Sequence, residues 1–450
     1  MTDTNHGATP KPSDKLSGNL NLRLSAMMFL QYAIWGAWLP LLYPFLANHH
    51  GFTDAQIGNM FAVGALGAMV APFIAGQVAD RYFSTERFLG LSHLVGAALV
   101  WQLASIDTYS GFLWFSLIYS LVYSPTLPLT NSLAFHHIPD RDRDFGRIRT
   151  WGTVGWIVVG LGIGQWLLRN HSPEGLEAAA LAKSQYAGMA DAFRLSAILG
   201  AIMGVFCFVL PHTPPSKEVT KNATFSALSE IKKQPLLMLF LLAVPVSCIH
   251  QFYFVHTAGF LGEFQSETAS RINDLFGVGG GGLMTVGQMS EIAVLALIPL
   301  FAAKVARKSF LALGLIAYGL RMAIFAYADV IPESVRVPAL IFGIALHGLC
   351  FGCFIFVAFM IVDEETTTDV RASAQSLFNL VIIGIGIIVG SKIATSVKSW
   401  ATNEVADVTA EGGLRSVTDY TQLFSVPMWA SLACLLILLA FYPKGSKRIA

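Results

Sequence analysis

The stretch Gly282-Leu-Met-Thr-Val-Gly-Gln288-Met-Ser-Glu291-Ile-Ala-Val-Leu-Ala-Leu-Ile-Pro-Leu300 is long and apolar enough to cross a bilayer, yet it carries a carboxylate near its middle. Gln288 lies one helical turn before Glu291, so amide and carboxylate share a face. An ionisable side chain at membrane depth costs about 2.5–3.5 kcal/mol on insertion scales and is usually found facing a bundle interior or a wet cavity. A chain that keeps such a pair there is expected to handle something polar in mid-membrane.

The rest of the sequence supplies the membrane. Of 450 residues, 54% are hydrophobic and only 13% charged, with a mean hydropathy of +0.59. A soluble domain carries about 25% charge, so the composition is that of an integral membrane protein. A net charge of +1 with no basic stripe argues against a nucleic-acid partner. All five cysteines fall inside apolar runs, and the Cys350-x-x-Cys353 pair has no second pair beside it. Packing by small polarisable side chains fits them better than a disulfide framework or a metal site. The first apolar run, about 22–47, is too long for the core of a signal peptide and is expected to stay in the membrane.

Windows of roughly 20 apolar residues, the length that crosses the hydrocarbon, recur near 22–47, 55–78, 87–106, 110–136, 148–169, 193–211, 235–262, 282–304, 309–328, 335–361, 373–396 and 421–443. The alternating pattern of a barrel is missing. The expectation is an all-α integral membrane protein of twelve transmembrane helices. With the N-terminus cytoplasmic, twenty of the 29 Lys and Arg fall on the inner side and eight on the outer. That bias places both termini inside. The polar segment 212–234 then divides the spans six and six. The predicted organisation is a tail (1–21), a six-helix bundle (22–211), an interdomain linker (212–234), a second bundle (235–443) and a tail (444–450). Arg149 and Arg371 open the fifth and eleventh spans, each followed by spaced glycines. Two such halves make the major facilitator superfamily fold.

Several residues carry candidate chemistry. Gly76-Gln-Val-Ala-Asp80-Arg81, between spans two and three, resembles the loop motif of that superfamily. Gly76 permits close helix approach, and Asp80 and Arg81 can pair and unpair as the halves rock, a gating role. Arg149, Thr153 and Trp156 form one stripe of the fifth span, and Gln251 and Phe254 lie one turn apart in the seventh. His347 and Phe351 are four apart in the tenth. His250 and His256 lie off the Gln251 stripe and are expected to be structural. Arg321 has Asp329 as a nearby acid, or serves to anchor the ninth helix. Amides, one carboxylate, one guanidinium and several aromatics on four helices suit a neutral ligand with a flat ring and hydroxyls. Burial disfavours a charged carboxyl, so Glu291 can couple proton uptake to substrate loading. A proton crossing 100 mV supplies about 2.3 kcal/mol.

The segments Phe29-Leu-Gln-Tyr-Ala-Ile-Trp-Gly-Ala-Trp38, Ile148-Arg-Thr-Trp-Gly-Thr-Val-Gly-Trp156, Gly287-Gln-Met-Ser-Glu291, Leu320-Arg-Met-Ala-Ile-Phe-Ala-Tyr-Ala-Asp329 and Val370-Arg-Ala-Ser-Ala-Gln375 resemble those of bacterial nucleoside:proton symporters. The resemblance implies that Arg149, Thr153, Gln251, Gln288 and Glu291 contact a nucleoside and that Phe351 fills a family aromatic position. Four positions depart from it. Gly352 stands where an acid follows that aromatic, Phe254 where there is an amide, His347 for a Tyr and Trp156 for a Phe. The lost acid bears on proton coupling, and His347 is a candidate second titrating group. The expected function is nucleoside import across the inner membrane by proton symport and alternating access. The expected protein is a monomer, without cofactor, whose partners are a nucleoside and the lipid bilayer. Alternatives are a sugar or polyol carrier, an uncoupled facilitator, a membrane sensor, or an acyltransferase-like enzyme using a buried His. No Ser-His-Asp or metal-spaced cluster supports the enzyme.

Overall fold

A computed structural model describes residues 16–74, 83–214, 229–268, 270–302, 304–367, 371–406 and 414–443. Among them the chain forms twelve long helical runs. These are α1 (Gly18–His49), α2 (Asp54–Ile74), α3 (Thr85–Leu103), α4 (Tyr109–His137), α5 (Arg141–Asn170), α6 (Ala178–Cys207), α7 (Leu236–Thr268), α8 (Gly281–Ala302), α9 (Arg307–Ala326), α10 (Glu333–Glu365), α11 (Ala374–Trp400) and α12 (Tyr420–Phe441). Ten have the length and apolarity of membrane spans, and α2 and α3 occupy the second and third predicted windows. The Gly76–Arg81 motif and most of the 212–234 segment lie outside the described residues.

Local chemistry sets the ends and the bends. Ser17 caps α1 by accepting from the Leu20 backbone N–H, and Asp419 does the same for α12 at Gln422. Pro40 opens a 3-10 turn in α1, and a π-helical turn, Phe45–His49, closes that helix. π-Helical turns also interrupt α10 over Cys350–Phe356 and α11 over Leu380–Ile385. Such bulges re-aim the residues beyond them. A short hairpin, β1 (Thr402–Ala406) with β2 (Leu414–Thr418), joins α11 to α12 and pairs antiparallel with Thr402 opposite Thr418. The rim carries large exposed apolar side chains such as Trp114, Leu300 and Trp429. In water that surface would aggregate; in lipid it is the solvent-facing side.

The described contacts between α1–α6 and α7–α12 concentrate where α5 meets α8 and α2 meets α11, at the end away from both termini. There the Val278 N–H donates to the Gly164 carbonyl at 3.1 Å and the Gln165 amide donates to the Asp274 carbonyl at 2.8 Å. Gly277 has φ +73°, and a Cβ on it would sit 1.9 Å from the Gly164 carbonyl carbon. Only glycine fits that crossing. On the other flank, a Cβ at Gly58 would meet Thr395 Oγ1 at 2.5 Å, and the Tyr43 ring packs edge-on against His256 at 4.9 Å. These contacts close that end of the bundle.

Candidate functional site

Glu291 is brought to its partner by its neighbour in sequence. Ser290 Oγ donates to the Ala345 carbonyl and accepts from the Gly348 N–H at 3.0 Å, clamping α8 to α10. Gly348 has no room for a side chain there, since a Cβ would stand 2.2 Å from Ser290 Oγ. Gly287, one turn earlier on α8, leaves space for His347 and for the Tyr253 hydroxyl. The result sets His347 Nε2 at 3.7 Å from Glu291 Oε2, with the histidine buried and the glutamate side chain 16% exposed. Gln288, one turn away on the same helix, is buried and its Oε1 has no hydrogen-bond partner. A buried orphan acceptor costs roughly 1–3 kcal/mol, which a ligand donor would recover.

Around His347 stands an aromatic nest. Tyr253 stacks on it with centroids 4.7 Å apart, His250 stacks at 5.4 Å, and Phe351 lies nearly parallel at 6.4 Å. Phe254 meets it edge-on at 6.1 Å. The predicted Phe254, Glu291, His347 and Phe351 therefore belong to one cluster. Across from them, Arg149 of α5 lies over the Tyr32 ring at 4.0 Å and within electrostatic reach of Glu291. Trp156, two turns along α5, packs its ring against Gly36 and makes an edge contact with Trp35 at 6.1 Å. Thr153 sits half-buried between Arg149 and Trp156 on that stripe. Gln251 is buried where α7 meets α11, with Gly390 giving it space.

Three features differ from the sequence reading. Arg321 turns away from Asp329: its Nη1 donates to His347 Nδ1 at 3.2 Å, and the side chain is fully buried over the Tyr253 and Tyr318 rings. Asp329 uses its backbone carbonyl to accept from Arg336. His250, expected to be structural, joins the nest and shares a hydrogen bond of 2.7 Å between its Nδ1 and the Tyr318 hydroxyl. Tyr32 and Gln31 were not candidates. Yet Tyr32 carries Arg149, and fully buried Gln31 donates to Thr126 and pairs with His93. A polar residue inside the otherwise apolar first span was the available signal. His256, by contrast, packs against Tyr43 and meets the Ala394 carbonyl at 3.0 Å, as a structural residue would.

The departure at position 352 also has a physical form. A Cβ on Gly352 would lie 2.8 Å from Val294 Cγ1 and 3.3 Å from Ile298 Cδ1. The space beside this glycine is taken by apolar groups of α8.

A twelve-helix bundle whose halves meet through α2–α11 and α5–α8, with polar groups buried at mid-membrane depth, defines a secondary transporter of the major facilitator superfamily. The family model described as "Nucleoside H+ symporter" matches residues 18–447. The chain belongs to that family of transporters. YegT of Escherichia coli (strain K12) is 33% identical over 379 residues, covering 82% of this chain and 83% of its own. The xanthosine permease of the same organism is 29% identical over 406 residues, covering 85% and 91%. The crystal structure of the nucleoside transporter NupG superposes with a TM-score of 0.76 at 25% identity, covering 94% of this chain and 98% of that one. The chain is a multi-pass membrane protein that takes a small-molecule substrate.

Proposed function

We propose that this protein imports nucleosides across the bacterial inner membrane, each with a proton carried by Glu291. The observation that carries the reading is the pairing of buried His347 with partly exposed Glu291, which stands within electrostatic reach of Arg149. Arg149 and the Gln288 amide offer donors and acceptors to ribose hydroxyls and base edges, and Trp156, Phe254 and Phe351 offer ring faces. Thr153 adds a hydroxyl on the Arg149 stripe, and Gln251 supplies a second amide when α7 moves against α11. The described closure at one end fits an inward-facing state, with both termini cytoplasmic and the two six-helix bundles rocking about the segment 212–234. The Gly76, Asp80 and Arg81 loop would latch the opposite end.

Uridine and adenosine uptake into proteoliposomes, with and without an inward proton gradient, tests this. Accumulation above equilibrium only with the gradient is the expected result. Glu291→Gln is expected to lose uphill uptake while sparing exchange of labelled for unlabelled nucleoside. A variant that still concentrates substrate removes Glu291 from the coupling.

A further inference from the structure

Arg321 is the cation of this site that the transport reading does not use. It is fully buried on α9, its Nε and Nη2 lack hydrogen-bond partners, and its charge faces aromatic rings and one imidazole. A guanidinium has donors only. His347 Nδ1 must therefore accept, which puts the proton of the neutral ring on Nε2, the atom that faces the Glu291 carboxylate. The imidazole is thus a wire with a fixed direction: a positive charge at one end, a donor aimed at the carboxylate at the other. Its tilt is held by Tyr253 and His250, and His250 in turn is hydrogen-bonded to the Tyr318 hydroxyl.

We propose that Arg321 is a positioning residue for proton coupling, setting through His347 the pH at which Glu291 gives up its proton and substrate binding is lost. This rests on the reading of Glu291 as the proton carrier. When Glu291 ionises, it gains the Nε2–H donor, and the buried guanidinium gains a counter-charge one ring away. Among the described residues, the titratable and charged groups around the pair are Arg149 from α5, His250 and Tyr253 from α7, Tyr318 and Arg321 from α9 and Cys350 beside His347 on α10. Arg149 acts on Glu291 from the opposite side and stays in place when Arg321 is changed.

The test is the pH profile of uridine binding to the reconstituted protein, from pH 5 to 9, for wild type, Arg321→Met and Arg321→Lys. An opposite charge close to a carboxyl is worth about 1–3 pH units, and one interposed imidazole sets the expectation at the low end. In Arg321→Met the pH of half-loss is expected to rise by about one unit, a tenfold change in proton affinity. In Arg321→Lys, which keeps a charge and a donor, it is expected to return close to wild type. A merely structural arginine would lower the amount of binding protein without moving that midpoint. A methionine variant that binds with the wild-type midpoint overturns the proposal. If Arg321→Met does not reach the membrane, Arg321→Gln removes the charge while keeping a polar group beside His347. The same upward displacement supports the proposal, and an unmoved midpoint overturns it. A wild type whose uridine binding ignores pH, or which binds no nucleoside, refutes the transport reading instead.

Discussion

Replacing Gly164 by alanine puts one methyl group into the seam between the halves. The Cβ would lie 2.6 Å from the Phe276 carbonyl oxygen and 3.4 Å from Gly277 Cα. The first distance is shorter than real Cβ contacts, and its neighbour is backbone, which yields little. Forcing a methyl into a packed site costs about 1–3 kcal/mol. The Val278 N–H bond to the Gly164 carbonyl, at 3.1 Å, is strained in the same movement. Because these contacts exist only while this end is closed, the cost falls on the closed state and not on the open one. A differential of 1–3 kcal/mol corresponds to a roughly 5- to 150-fold shift of population. Thr285, buried on α8 opposite Gly160, reports it. In a Thr285→Cys background, labelling by an impermeant maleimide applied at the closed end is expected to accelerate by that factor when Gly164→Ala is added. An unchanged rate in a properly folded double variant would refute the reasoning. Either the seam does not gate that end, or it relaxes around the methyl without opening.

Two further substitutions follow from the same kind of geometry. Gly352→Asp is expected to lower the thermal unfolding temperature in detergent, because the overlap with Val294 costs about 1–3 kcal/mol; Val294→Ala added to it should recover most of the loss, and a single variant as stable as wild type would contradict the packing. Arg307→Ala should cost about 2 kcal/mol in the same assay, since Arg307 is buried between Glu364 and Glu365. That lies below the 3–5 kcal/mol of a fully buried pair because both glutamates keep a quarter to a third of their exposure.

Helix number and order were legible because lipid demands the same thing of each span, about 20 apolar residues with the backbone satisfied internally. Glu291 and Gln288 were legible for the opposite reason: each violates that demand. Spacing along one helix correctly joined His347 to Phe351 but could not say what lay across from them. Arg321 shows the limit. Its nearest acid in sequence, Asp329, was eight residues on, whereas its partner is 26 residues away on the next helix, where Gly314 and Gly343 let α9 and α10 close on each other. His250 was set aside by helical spacing within α7, but the face it occupies turns toward α9 and α10. Helix-to-helix register is decided by glycines and clamps whose partners lie far off in sequence.

On the α5–α8 flank the seam at the closed end is made of backbone carbonyls, backbone N–H groups and an amide, all of them uncharged. Dissolved ions screen charge pairs but leave neutral contacts almost untouched. On the α5–α8 flank, where backbone and amide groups make the bonds, added electrolyte therefore has little handle on this door. The α2–α11 flank differs, because Lys398 there stands within electrostatic reach of Asp54 across the halves. The medium outside a cell thus meets one hinge side that ignores its salt and another that feels it.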